Sequence, residues 1–323
     1  MTPIILAAVL AGGLFAMAFL GPWLFRRAAP ALVRVPRLAI AVLCGGIVTW
    51  LGTLLALGPL LAWTLTGPNV LPEHVAATCQ RCLNAANPFS AETIETAVPV
   101  ILLLVVPVLA AIAVAVTFAH ELVRWSRASR RGAEAMTDTA TRRRLLGHDV
   151  YVVADHRPFA MTFPARYGGV VISTGALAIL DRDELSAVLE HENAHLRGRH
   201  HILTAVVGGL AARLRWVPLI VAVEDMLPHY LEIAADNRAR HHAGTPALVG
   251  ALVKLGERAV HGGHPSTVLH VAGPERIRQL VHPCTGGAGT LAAAVVTFHL
   301  GALAVVASAV HIPYAAAAVT GCL

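Results

Sequence analysis

The sequence predicts a mainly α-helical integral membrane protein, with four transmembrane helices plus a cytoplasmic α+β domain containing a small sheet. Three observations predict it. Of 323 residues, 56% are apolar and only 14% charged, with a mean hydropathy of +0.65, well above a soluble domain of this length. Apolar runs of roughly 20 residues, enough to cross a bilayer core, recur along the chain. The longest polar region carries His191-Glu192-Asn193-Ala194-His195, in which two imidazoles four residues apart share one helix face.

The predicted spans are Pro3 to Phe25, Leu38 to about Leu61, Val98 to Phe118 and Leu291 to about Val310. The first lacks a basic start and exceeds a usual signal core, so it is expected to be a retained helix. Arg26, Arg27, Arg34 and Arg37 follow it without an acidic residue, which places that turn in the cytoplasm. The loop at about 67–97 carries Glu73, Glu92 and Glu95 against Arg81 and is expected outside. After the third span, the arginines from Arg124 to Arg131 and Arg142-Arg143-Arg144 return the chain to the cytoplasm. The organisation read from this is 1–120 as three spans, 121–287 as a cytoplasmic domain and 288–323 as a fourth span with a short tail. Both termini then lie outside. The net charge of +6 is a bilayer-orienting charge rather than a nucleic-acid footprint, and no direct nucleic-acid partner is expected.

Cys79 and Cys82 lie in the outward loop, where oxidation is favoured. They are expected to form a local disulfide, or one of them to pair with Cys322, against a free or redox-active pair. Cys44 and Cys284 read as inert thiols. A loop of about thirty residues leaves little room for a small-molecule pocket, so a partner protein is expected to supply any sensing.

The cytoplasmic region opens with a basic helical run, Glu121 to Arg131, continuing the third span, whose arginines can touch anionic headgroups. Three strands follow at 150–154, 159–163 and 169–173, where β-branched and aromatic residues alternate with Pro and Gly breaks. A strand beside the motif helix would offer an edge to an extended peptide. Asp181, Asp183 and Glu184 mark a helix start, and Gly198 its end. Ile202 to Val223 is apolar, but Arg213 and Arg215 interrupt it, so it is expected to be a core helix or hairpin dipping toward the membrane surface.

His191 and His195 can bind a zinc ion while Glu192 takes a proton from its water, the HExxH arrangement of metallopeptidases. A third ligand has two candidates. Glu232 lies in Glu232-Ile233-Ala234-Ala235-Asp236, where Asp236 could accept the ring N–H of His191. His201 completes the longer pattern His191-x3-His195-x2-Gly198-x2-His201, although no good methionine turn follows. The Arg197–His201 run otherwise reads as a basic surface corner.

The order of His191-Glu192-x-x-His195, an apolar helical segment and Glu232-x-x-x-Asp236 among membrane helices resembles gluzincin membrane peptidases of the BlaR/MecR antirepressor type. It is also similar to the related HtpX and CAAX-prenyl endopeptidase group. The resemblance implies a zincin-like domain with Zn2+ on His191, His195 and Glu232, Glu192 as general base and Asp236 as a supporting carboxylate. His270, with Pro274, Arg276 and Ile277, is similar to a later motif of the second group, which implies that His270 lies near the substrate carbonyl. His270 is therefore the first candidate for an oxyanion donor and Arg238 the fallback. The large extracellular sensor domain of the BlaR/MecR type has no counterpart after the last span, so direct β-lactam sensing is not expected. The expected role is cleavage of a cytoplasmic protein, such as a winged-helix repressor in a signalling pathway. HtpX-like quality control is the alternative, and a non-catalytic membrane receptor or scaffold a further one.

Overall fold

A computed structural model describes residues 3–88, 93–260, 280 and 286–320. Among these, four helices are long and apolar enough to cross a membrane. They are α1 (Pro3–Leu32), α2 (Pro36–Ala62), α4 (Val100–Thr137) and the last helix, α10 (Thr290–Thr320). Each outruns its predicted span, because helical hydrogen bonding continues past the apolar stretch. Arg26 and Arg27 accordingly lie on the last turns of α1, and α2 begins after residues 33–35. The basic run after the third span is continuous with it in α4.

Helices α1, α2 and α10 pack together, and α4 lies against α2 at the side, where the Leu103 carbonyl leaves no space for a Cβ at Gly58. Polar groups inside the bundle find backbone acceptors, as an apolar setting requires. Trp50 Nε1 donates to Leu14 O at 3.0 Å, and Tyr314 Oη to Pro59 O at 2.9 Å.

At one end of the bundle, β1 (Leu65–Thr66), α3 (Glu73–Ala86) and β2 (Ile94–Glu95) form a cap, with β1 and β2 parallel. The cap encloses a pocket of about 390 Å3 lined by residues such as Trp63, Asn69, Glu73 and Gln80. Thirty residues alone were expected to leave little room for one, and the helix ends around Trp63 and Val100 supply part of the wall. Cys82 is disulfide-bonded while Cys79 is free, so the local pairing is not formed. Cys284 and Cys322 lie outside the described residues.

At the other end is a sheet of β3 (Thr141–Leu145), β4 (His148–Val153), β5 (Ala160–Thr162) and β6 (Val170–Ser173), in the order β3-β4-β6-β5. β4 and β6 are parallel, and β5 is antiparallel to β6 at the edge. The three predicted strands correspond to β4, β5 and β6. The Arg142-Arg143-Arg144 run, expected only as an orienting charge, is strand β3: paired with β4, it forms a charged edge that resists further pairing. Short α5 (Thr174–Ile179) leads into α6 (Arg182–Arg197), which covers the sheet through Val188 and Leu189. α9 (Thr245–Val260) docks against α6, where Lys254 Nζ meets Glu184 Oε2 at 2.6 Å.

The segment from Ile202 to Val223, expected as a core helix or hairpin, falls in α7 (His200–Arg213) and the start of α8 (Pro218–Ala243), which form a hairpin. It goes further than dipping toward the bundle. Val207, Leu219, Ile220 and Leu227 join Met17 of α1, Leu43 of α2 and Leu300 of α10 in the largest buried cluster. Arg213 is accommodated by Glu121 of α4 at 3.0 Å.

Candidate metal centre

Helix α6 starts with a capping box. Asp181 Oδ1 accepts from Glu184 N at 2.9 Å and Glu184 Oε2 accepts from Asp181 N at 2.9 Å, which satisfies two N-terminal amides and fixes the helix phase. From that start the spacing turns His191 and His195 to α8, where Glu232 and Asp236, also four apart, face back. His191 is 2% exposed and Asp236 1%. The side chains of His195 and Glu232 retain 18% and 20% exposure, so the group opens on one side.

One ligand atom from each of His191, His195 and Glu232 lies within 4.8 Å of the other two. His191 Nε2 is 3.2 Å from His195 Nε2, and Glu232 oxygens lie 3.4 Å from His191 Nε2 and 3.5 Å from His195 Nε2. A tetrahedral zinc with bonds of about 2.0–2.1 Å separates its ligands by roughly 3.3–3.4 Å. The donor set therefore fits such an ion without rearrangement. Asp236 Oδ1 is 3.0 Å from His191 Nδ1, which keeps a proton on Nδ1 and turns Nε2 toward Glu232. Burial opposes a charge on this imidazole, but its hydrogen bonds to Asp236 and Glu232 outweigh that and push its pKa up to about 10.

Glu192 is 5% exposed, and Thr162 of β5 approaches it, with Oγ1 2.6 Å from Glu192 Oε2 and 3.1 Å from its backbone oxygen. The hydroxyl has two acceptors for one proton, and it anchors the carboxylate next to the two imidazoles.

Two side chains here escaped the sequence reading. Thr162 carries no motif, since only strand packing brings it to α6. His200 was read as part of a basic surface corner, yet it is 8% exposed and its Nδ1 lies 3.0 Å from His195 Nδ1. Burial, then the neighbouring His195, pushes the His200 pKa down to about 4, so a neutral His200 can accept the Nδ1–H of His195. Gly198 makes this possible through space rather than backbone freedom. Its φ is an ordinary −75°, but a Cβ there would run into the His200 ring.

His201 turns away from the group and stacks on Trp125 of α4, with ring centroids 6.0 Å apart and planes 4° apart. Arg238 faces Glu190 Oε2 at 3.7 Å across the α6–α8 interface. His270, Pro274, Arg276 and Ile277 lie outside the described residues.

Residues 124–229 match peptidase family M48. That span holds the His191–His195 helix, the edge strand, α7 and the first half of α8, and stops just short of Glu232 and Asp236. Among curated proteins, the chain is 37% identical over 76 residues to a protease HtpX homolog of Thermoanaerobacter pseudethanolicus, covering 22% of this chain and 25% of that protein. It is 30% identical over 70 residues to one of Thermodesulfovibrio yellowstonii, covering 21% and 25%. It is 35% identical over 71 residues to one of Caldanaerobacter subterraneus subsp. tengcongensis, covering 20% and 24%. The chain thus spans about a quarter of the length of these relatives. No solved structure matches significantly. These matches lie on the HtpX side of the resemblance rather than with BlaR/MecR-type sensors. Over residues 124–229, which carry His191, Glu192 and His195, the chain is similar to peptidase family M48, and over some 70 to 76 residues to HtpX homologues, in a chain with four helices apt for a membrane among its described residues.

Proposed function

We propose that the chain is a membrane-embedded zinc endopeptidase that hydrolyses peptide bonds of a protein substrate at the bilayer surface. The observation that carries this is the convergence of His191, His195 and Glu232 at ligand spacing beside the anchored carboxylate of Glu192. When bound by those three residues, zinc supplies Lewis acidity, lowering the pKa of a water toward about 7 and polarising the scissile carbonyl. Glu192 takes the proton from the attacking water on its carboxylate and returns it to the leaving amine, while Thr162 holds that carboxylate in place. Asp236 and His200 keep the proton on Nδ1 of His191 and His195. The free edge of β5 receives an extended substrate by backbone hydrogen bonding. With Arg238 engaged by Glu190, His270 is the donor proposed for the oxyanion.

The arginines at the α1–α2 turn and on α4 lie at the end of the bundle that carries the sheet, which supports a cytoplasmic site by the positive-inside rule. Cleavage of a cytoplasmic repressor and HtpX-like quality control of membrane proteins both suit a site there. The similarity to HtpX homologues supports the second at least as well as the first. A partner protein for sensing remains part of the repressor reading, alongside the pocket in the α3 cap.

The test compares purified wild-type protein with Glu192→Gln for zinc content and for cleavage of an unfolded protein substrate. Zinc retained and cleavage lost is the expected result; a fully active Glu192→Gln chain, or a wild-type chain that binds no zinc, overturns the proposal. New N-termini in cells with the wild-type protein, absent with Glu192→Gln, separate the two roles: a single repressor for one, many membrane proteins for the other.

A further inference from the structure

Val123, Ser126, Arg127, Arg130 and Arg131 recur along α4 at intervals of three and four, so they share one face. Against that face lies the turn at 165–167, in the loop between β5 and β6 that Phe163 N closes by donating to Gly169 O at 2.8 Å. Two hydrogen bonds tie the turn to α4, and a third contact lies within the turn. Arg166 Nη2 donates to Ser126 Oγ at 3.2 Å, the Tyr167 hydroxyl shares a hydrogen bond with the same Oγ at 2.9 Å, and the Arg166 guanidinium sits 4.6 Å over the Tyr167 ring.

Between helix and turn is a cleft of about 700 Å3 whose polar lining is Ser126, Arg127, Arg130, Arg131, Arg166 and Tyr167. Among the described residues no carboxylate lines it, and of its four arginines Arg130 is paired, with Glu134 at 3.1 Å. The Tyr167 phenol is held below its usual pKa by the Ser126 hydrogen bond and then by Arg166 and Arg130, as a positive field requires. The remaining lining residues, Leu122 and Val123, are apolar. Immediately before them, the apolar length of α4 has no buried residue. The cleft is thus a cationic cradle at the foot of an exposed apolar helix, and a soluble anion would leave that apolar rim unused.

We propose that this cleft binds the phosphate headgroup of an anionic phospholipid, with Arg127, Arg131 and Arg166 around the phosphate and the acyl chains along α4. The arginines of α4 alone read as a general surface attraction; the turn from the sheet makes a walled site of them. Binding is read without turnover, so the proposal stands apart from the peptidase reading.

The test titrates the full chain, purified in detergent, with phosphatidylglycerol, phosphatidylcholine or inorganic phosphate, and counts bound lipid by native mass spectrometry. Phosphatidylglycerol is expected to be retained over phosphatidylcholine and not displaced by millimolar inorganic phosphate. Near an anionic headgroup each arginine contact is worth roughly fivefold, so Arg127→Ala with Arg166→Ala should lose roughly twentyfold of that preference. Arg143→Ala with Arg240→Ala removes the same charge elsewhere and should keep it. The single variants Arg127→Ala and Arg166→Ala carry the same comparison if the double variant does not fold. Equal losses in the two double variants, an unchanged preference in the cleft variant, or displacement by inorganic phosphate overturns the proposal.

Discussion

Asp236 Oδ1 lies 3.0 Å from Nδ1 of His191, and both residues are almost wholly buried. A carboxylate in that position orients the imidazole before any ion arrives. Asp236→Ala is expected to weaken zinc binding by about 10- to 100-fold, measured by competition with a chromogenic chelator. Unchanged affinity would mean that packing alone orients His191.

Thr162 touches Glu192 rather than His191, His195 or Glu232. Thr162→Val keeps the shape of the side chain and removes the hydroxyl. A hydrogen bond to a charged group is worth about 1.5–3 kcal/mol, so kcat should fall by at least roughly tenfold. Zinc content should stay at the wild-type level, which distinguishes a positioning role from loss of the fold.

Gly198 leaves the space that the His200 ring fills. Gly198→Ala is expected to displace His200 from His195 and so reduce zinc affinity, as His200→Phe should do by removing the acceptor. If Gly198→Ala alone weakens zinc binding, His200 is not the reason for it, and the glycine serves the helix junction instead.

The α7–α8 hairpin shares its core with α1, α2 and α10. Leu219 is 0% exposed, and Leu219→Ala should cost about 2–5 kcal/mol through the cavity left behind, seen as a lower melting temperature in detergent. Residues 121–287 expressed alone should aggregate or fail to bind zinc, because Val207, Leu219, Ile220 and Leu227 would lose their partners. A soluble, zinc-binding fragment would contradict the shared core.

Much of this architecture follows from local pattern. Hydropathy alone marked the four long helices, since a bilayer core demands some twenty apolar residues wherever they occur in the chain. The four-residue spacing placed His191 above His195, and Glu232 above Asp236, because helix geometry acts between near neighbours. The acids from Asp181 to Glu184 marked the start of α6 for the same reason.

Contacts between distant segments were not legible in this way. Thr162 reaches Glu192 only because β5 lies at the sheet edge beneath α6, and nothing in its neighbourhood in the chain signals that. His200, read as a surface residue, folds onto His195 because the turn at Gly198 and Arg199 reverses the chain there. The choice between Glu232 and His201 also rested on tertiary packing: α8 lies along α6, while Trp125 draws His201 toward α4. Near-neighbour pattern in the chain sets which helices form and which faces they present. Only the packing of those faces decided which side chains meet, because spacing constrains residues within one helix and says nothing of how two helices approach.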